Sequence, residues 1–309
     1  MNNGFLGHLA DSFSIIAPIL VVLGLGALLR RLNWIDSHFV AVANKLTFLI
    51  FMPSLLFLVT ATRPLTSEVL PLAVFAVLIT VIVVVAIWLT APFLVEKDKR
   101  GAFTQSSFRS NMGMIGLALC VNAYGEDVLA RAGIFVAAMI VTVNVLSVLV
   151  LTPKRSELLK NQLRNPLLIG IVSGIAWQGL QLPMPEIAEN SMAYFARMAL
   201  PLALLCIGAS LDWSKLRRVR GDVAWAALLK MVITPLFITA AAVWWGFRGE
   251  DLGILFLMVS APTAAVAFVM ARQLTPHGDL AADSIAVTTI LSPITVTIGL
   301  TLLSSLGLI

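Results

Sequence analysis

Two polar interruptions stand inside otherwise apolar stretches of this 309-residue chain. Phe103 to Ala123 is broken by Ser110-Asn111-Met112-Gly113, and Leu252 to Ala271 by Ser260-Ala261-Pro262-Thr263. Counted from the starts of those stretches, the breaks fall at matching places, Asn111 and Ser260. An amide donates and accepts hydrogen bonds, and so does a hydroxyl; Asn111 and Thr263 therefore have the chemistry to hold a carboxylate. A half-helix starting after each break, at about Gly113 and about Thr263, would present unpaired N–H groups and the positive end of its dipole, which favours an anion. The bland alternative for Asn111 is that it caps its own half-helix, and both roles can hold at once. The candidate substrate-binding set is Asn111, Met112, Gly113, Ser260, Pro262 and Thr263.

Charge adds two more candidates. Lys45, Arg109, Arg197 and Lys230 fall inside apolar spans, and no Asp or Glu does. A charge near a bilayer centre costs roughly 2.5–3.5 kcal/mol on insertion scales, so each is a functional candidate by default. Lys45 and Lys230 lie near span ends that face the cytoplasm in the topology below, where a long side chain can snorkel to the headgroups. Arg109 and Arg197 lie close to broken or proline-bent segments. Arg109 and Lys230 join the substrate-binding set. Buried cations without buried carboxylates suit an anionic substrate, and they argue against a cation antiporter built on paired aspartates.

The elements that must position these residues are membrane helices. The chain is 59% hydrophobic and 12% charged, more apolar than a soluble domain of its length could bury. At about 20 residues per crossing the sequence divides into ten spans: 13–29, 38–61, 71–95, 103–123, 132–151, 166–182, 190–211, 223–247, 252–271 and 284–308. Backbone irregularity at membrane depth survives only where it lines a cavity or contacts protein. A matched pair of interrupted spans, 4 and 9, is therefore the pattern of a transporter's substrate site. The loops after odd-numbered spans carry fourteen basic residues: Arg30, Arg31, Lys97, Lys99, Arg100, Lys154, Arg155, Lys160, Arg164, Lys215, Arg217, Arg218, Arg220 and Arg272. The other face carries three, Arg63, Arg131 and Arg248. The positive-inside rule then places the odd loops in the cytoplasm and both termini outside it. The net charge of +5 is a topology signal, with no nucleic-acid partner implied. The first span has no basic residue before it and no small-residue cleavage site after it, so it reads as retained. Cys120 and Cys206 lie within spans and read as packing residues, with no ligand spacing for a metal.

The two halves also match each other. Pro18 and Pro166, Pro53 and Pro201, and Gly26 and Gly174 are each 148 residues apart, close to half the chain, at equivalent places in their spans. Five spans per half is odd, so the second copy must be inverted in the bilayer. The expected division is 1–152 as a first five-helix repeat, 153–165 as a short basic cytoplasmic link, and 166–309 as an inverted second repeat. The fold class is an all-α polytopic membrane protein with broken, crossing helices 4 and 9.

In this order the motifs resemble the auxin efflux carrier family, which includes plant carriers and bacterial malate or malonate permeases. The motifs are Asn44-Lys45 with Pro53; Asn111 with Gly116-Leu117 and Tyr124-Gly125; Arg164-Asn165-Pro166; Gly208-Ala209-Ser210-Leu211; Lys230 with Pro235; and Pro262 with Phe268-Val269. The resemblance runs nearly end to end. It implies ten helices in two inverted repeats, spans 4 and 9 crossing at their breaks, and spans 1, 2, 6 and 7 as a scaffold for a moving transport domain. It further implies an organic-anion site at the crossover with Asn111 as a carboxylate contact. Ala118 and Ala267 stand where plant members have crossover prolines, and the long plant cytoplasmic loop is missing. A malate- or malonate-like carboxylate is thus expected ahead of an auxin-like acid, carried by alternating access across a bacterial inner membrane.

An anion channel is the nearest alternative. A membrane-embedded enzyme is a more distant one, because His8, His38 and His277 sit in loops or at span ends and no acid lies within a span. No cofactor and no metal are expected. The partners expected are a small organic anion and the lipid bilayer, and a homodimer is one assembly this reading allows.

Overall fold

The computed structural model of the protein describes residues 4–62, 69–152, 165–211 and 219–309. Of the basic loop residues named above, Arg63, Lys154, Arg155, Lys160, Arg164, Lys215, Arg217 and Arg218 lie outside the described residues, as does the link from 153 to 164. The described chain is helical, in twelve segments: α1 Phe5–Arg31, α2 Ser37–Thr62, α3 Leu70–Phe93, α4 Arg100–Phe108, α5 Met112–Tyr124, α6 Val128–Leu151, α7 Pro166–Gly179, α8 Glu186–Ala209, α9 Gly221–Trp245, α10 Gly249–Ser260, α11 Ala265–Leu274 and α12 Gly278–Ser305. Seven of them, α1, α2, α3, α6, α8, α9 and α12, are long and apolar enough to cross a membrane.

Local chemistry explains where these helices begin, bend and end. The Asp36 carboxylate accepts from Phe39 N–H at 2.7 Å and starts α2, a side-chain cap for one of the donors that a helix leaves unpaired at its start. Asn165 does the same for α7, accepting from Leu167 N–H at 3.0 Å with Pro166 in the first position. Three helices contain π-turns among the described residues: Met112–Gly116 opens α5 at the break, while Thr47–Phe51 in α2 and Leu229–Ile233 in α9 each end two residues before a proline, Pro53 or Pro235. A proline ring collides with the carbonyl four residues back and supplies no N–H; widening the turn accommodates both effects. Span 6, expected to reach 182, stops as α7 at Gly179, and Gln181 follows with φ 51°. That left-handed turn ends the helix although the apolar run continues.

Glycines set the closest helix contacts. A Cβ on Gly26 of α1 would lie 2.1 Å from the Leu205 carbonyl of α8, and one on Gly208 of α8 would lie 2.0 Å from the Leu23 carbonyl of α1. Across from them α2 and α7 meet in the same way: Cβ atoms on Gly170 and Gly174 would lie 2.6 Å from the Pro53 and Phe57 carbonyls. Without side chains at these positions the backbones approach more closely than any larger residue permits. The pairs α1–α8 and α2–α7 join through α2–α8; α3, α4, α6, α9 and α10 pack among themselves beside them, and α12 packs against both α1 and α11.

Candidate functional site

The two interruptions meet face to face. Ser110 and Thr263 lie opposite each other in a single antiparallel bridge. Asn111 N–H donates to the Pro262 carbonyl at 2.7 Å, and Ala264 N–H donates to the Arg109 carbonyl at 2.9 Å. Each break thus satisfies the backbone of the other. This is how a chain can leave helical geometry in an apolar core without stranding its polar groups, each of which would otherwise cost several kcal/mol.

The carbonyl ends of the half-helices are closed by side chains. The Val259 carbonyl at the end of α10 accepts twice, from Lys230 Nζ at 2.7 Å and from Ser110 Oγ at 3.0 Å. The Ser106 carbonyl near the end of α4 accepts from Thr263 Oγ1 at 2.9 Å, and Thr263 N–H donates to Thr288 Oγ1 of α12 at 3.1 Å. Ser260, beside them, is buried with a hydroxyl that has no hydrogen-bond partner among the described residues.

The N-terminal ends point the other way, into a cavity of about 330 Å³. Three helix starts border it: Met112 and Gly113 of α5, Ala265 and Val266 of α11, and Pro166 and Leu167 of α7. The first turns of α5 and α11 carry N–H groups without side-chain caps; at α7 Pro166 has no N–H and Asn165 already accepts from Leu167 and Leu168, so that helix contributes the partial positive charge of its dipole. Asn111, Asn144, Asn165 and Gln273 add polar side chains to the wall, and Arg109 adds a full charge. Its guanidinium is held by α6, with Nη1 donating to the Val143 carbonyl at 2.9 Å and to Ser147 Oγ at 2.6 Å, and Nη2 donating to Asn144 Oδ1. Those acceptors are neutral, and the cavity wall contains no Asp or Glu among the described residues. The Asn111 amide forms no cap on α5 and faces the cavity.

Of the sequence-predicted set, Asn111, Met112, Gly113 and Arg109 line this cavity. Ser260, Pro262, Thr263 and Lys230 do not; they lie behind it, and all but Ser260 make the contacts that hold the breaks together. Sequence reasoning missed the start of α7, Asn144 and Gln273. The Asn165-Pro166 pair carried a readable signal, a cap followed by a first-turn proline, but nothing local told that this start faces Asn111. Among the described residues no group of His, Cys, Asp or Glu is placed to hold a metal ion.

A second cavity of about 460 Å³ lies between α1, α2 and α8 on one side and α5 and α6 on the other. Pro18, Ala118, Asn122 and Arg197 are in its wall, with Glu126 and Glu189. The two cavities share no lining residue.

Paired broken helices in an apolar helical body, with a positive cavity at their junction, define a polytopic membrane transport protein. Comparison with known proteins agrees: the profile described as "Membrane transport protein" matches residues 12–158 and 154–300. The chain belongs to that family, the auxin efflux carrier family. An uncharacterized transporter of Methanothermobacter thermautotrophicus is 24% identical over 284 residues, covering 90% of this chain and 93% of that protein. A protein of Rhizobium meliloti provisionally named a malonate transporter is 28% identical over 134 residues, 43% of this chain and 42% of its own. Auxin efflux carrier component 6 of Arabidopsis thaliana is 26% identical over 123 residues, 38% of this chain and 22% of its own.

Proposed function

We propose that this protein is a secondary transporter of a small carboxylate, of the malate or malonate kind, working by alternating access. It is not an enzyme in this reading, and it resides in a bacterial inner membrane with both termini outside the cytoplasm. The observation that carries the substrate class is the convergence of three helix starts and Arg109 on one cavity whose described wall has no carboxylate. Fixed N–H dipoles and a buried guanidinium favour an anion there. The volume of about 330 Å³ is at the small end of ligand sites, which run from roughly 300 to 1,000 Å³. A malonate-sized acid fits that volume with room to spare, so the charge of the wall and not its size carries the substrate class.

Alternating access draws on the second cavity. Five positions in its wall, Pro18, Ile19, Ala196, Ala118 and Asn122, correspond at a spacing of 148 residues to Pro166, Leu167, Phe48, Val266 and Met270 of the first. This correspondence supports a reading in which the two cavities occupy equivalent places in two inverted five-helix halves, with α4–α5 and α10–α11 as the crossing fourth and ninth spans. Exchanging the conformations of such halves closes one cavity and opens the other. In this reading the cavity at Asn111 faces the cytoplasm and the one at Arg197 faces outside. An anion channel would need a continuous path, and the separation of the cavities favours a carrier.

Proteoliposomes test the proposal directly. Uptake screened across malate, malonate, other small carboxylates and indole-3-acetate should saturate for a small dicarboxylate, and internal unlabelled substrate should accelerate entry of label. Conductance without counterflow would replace the carrier with a channel. Failure of every carboxylate to compete would overturn the substrate class.

A further inference from the structure

Lys230 is buried to 0% exposure on α9, yet it does not line the anion cavity. Its Nζ has one hydrogen-bond partner among the described residues, the Val259 carbonyl at 2.7 Å. That carbonyl belongs to the last turn of α10, whose end carries partial negative charge and unpaired acceptors. The helices packed against this turn of α9 are α4, α10 and α12. Their charged groups are Arg100 in the first turn of α4, Glu250 and Asp251 in the first turn of α10, and Asp279 and Asp283 in the first two turns of α12. None stands in the middle of its helix, so the partner of the ammonium is the carbonyl end itself.

The same carbonyl has a second donor, Ser110 Oγ, at 3.0 Å. Ser110 precedes Asn111, and both line the cavity. A fixed Val259 carbonyl therefore anchors the residue next to the one that faces the anion. Ser260, one residue on from Val259, contributes the buried hydroxyl without a partner. Carbonyl ends of broken helices, with adjacent oxygens, are where membrane carriers hold free sodium ions or protons.

We infer that Lys230 is a tethered cation standing where a free monovalent cation would otherwise bind, and that it positions Ser110 and Asn111 for the substrate. It is a positioning residue, since it touches the break and not the anion. The inference rests on the proposed anion site for its binding readout, and it has a second readout that does not. Anion affinity of the wild type should be unchanged when choline replaces sodium. Lys230→Ala should lose roughly tenfold or more in affinity in choline, the scale of one hydrogen bond to a charged group. Sodium or methylammonium should restore Lys230→Ala, which a merely structural vacancy would not allow. Lys45→Ala, at an exposed position, should behave as wild type. Wild-type affinity that requires sodium, a Lys230→Ala variant with full affinity in choline, or loss that no small cation restores would each overturn the inference.

If Lys230→Ala does not fold, Lys230→Met keeps the bulk without the charge; a folded Met variant with full affinity overturns the inference and one with weakened affinity supports it. If the wild type binds no carboxylate, the substrate proposal fails and thermal melting decides here. Sodium or methylammonium should then raise the melting temperature of Lys230→Ala but not of wild type, and equal shifts would overturn the inference.

Discussion

Asn111 and Arg109 carry the most specific demands on the proposed anion site, for different reasons. The Asn111 amide is buried at the mouth of α5 and caps nothing, so Asn111→Ala removes a donor from the cavity with little local penalty. The expected loss is about 1.5–3 kcal/mol of binding, or roughly ten- to hundred-fold in affinity, in a protein that still inserts and melts near the wild-type temperature. Binding titration in detergent alongside a melting curve checks it; unchanged affinity would move the site away from the junction. Arg109 differs because its guanidinium also ties α4's end to α6. Arg109→Gln should lower both affinity and melting temperature, and Arg109→Lys should not rescue it, since one ammonium cannot match a planar fork that bonds Val143, Asn144 and Ser147 together. Both residues were legible as polar groups in apolar runs. The division of labour was not, because sequence put Asn111 and Lys230 in one substrate-binding set. Only packing shows that one faces the cavity and the other grips the Val259 carbonyl from behind.

At the scale of helices, glycine placement decides which pairs can touch. The spacing shared by Gly26 and Gly174 was readable, but the surfaces they press on were not, because a glycine announces close approach without naming its neighbour. The structure supplies the neighbours, α8 for Gly26 and α2 for Gly174. A methyl at Gly208 meets backbone at 2.0 Å, whereas a methyl at Gly24, in the same membrane layer of α1, meets nothing within 4 Å. Gly208→Ala should therefore lose about 1–3 kcal/mol, the usual range for overpacking a tight interface, seen as a clear drop in melting temperature. Gly24→Ala should stay within error of wild type. Equal behaviour of the two variants would remove close α1–α8 contact from the account. Boundaries were the least legible part. Span 4 reads from 103 in apolar character, but α4 begins at Arg100, whose Nε and Nη2 donate to the Trp88 carbonyl of α3; a hydrogen-bonded arginine extends a helix past its apolar run.

For the molecule as a whole, charge asymmetry between loops predicts orientation, and the two cavities predict accessibility. A C-terminal phosphatase fusion should be active and a C-terminal fluorescent fusion dark if the termini lie outside. Cys120 and Cys206 are both fully buried, so the native thiols provide a quiet background for labelling. A cysteine placed at Ala265 should react with a membrane-impermeant thiol reagent from the cytoplasmic side, and one at Ala118 from the outside, with substrate changing both rates in opposite senses. Reaction of both from one side would overturn the assignment of the cavities to opposite faces. The class of protein was legible from composition alone, because no soluble fold hides this much apolar surface. Which cavity opens where depends on pairing across the whole chain, which no local window contains.

The mutual repair of the two breaks has a consequence for biogenesis. The Ser110 hydroxyl finds its acceptor 149 residues further along the chain. A ribosome adding ~5–20 residues per second needs roughly 8–30 s to supply that partner. For that interval α4 and α5 have been made with their bend already encoded and its matching break still unsynthesised. The bend's exposed amides must meanwhile be met by water or by the insertion machinery, since lipid offers them nothing. A nascent chain halted before Gly249 would carry that unmet bend permanently, a mark by which an aborted product differs from a completed one.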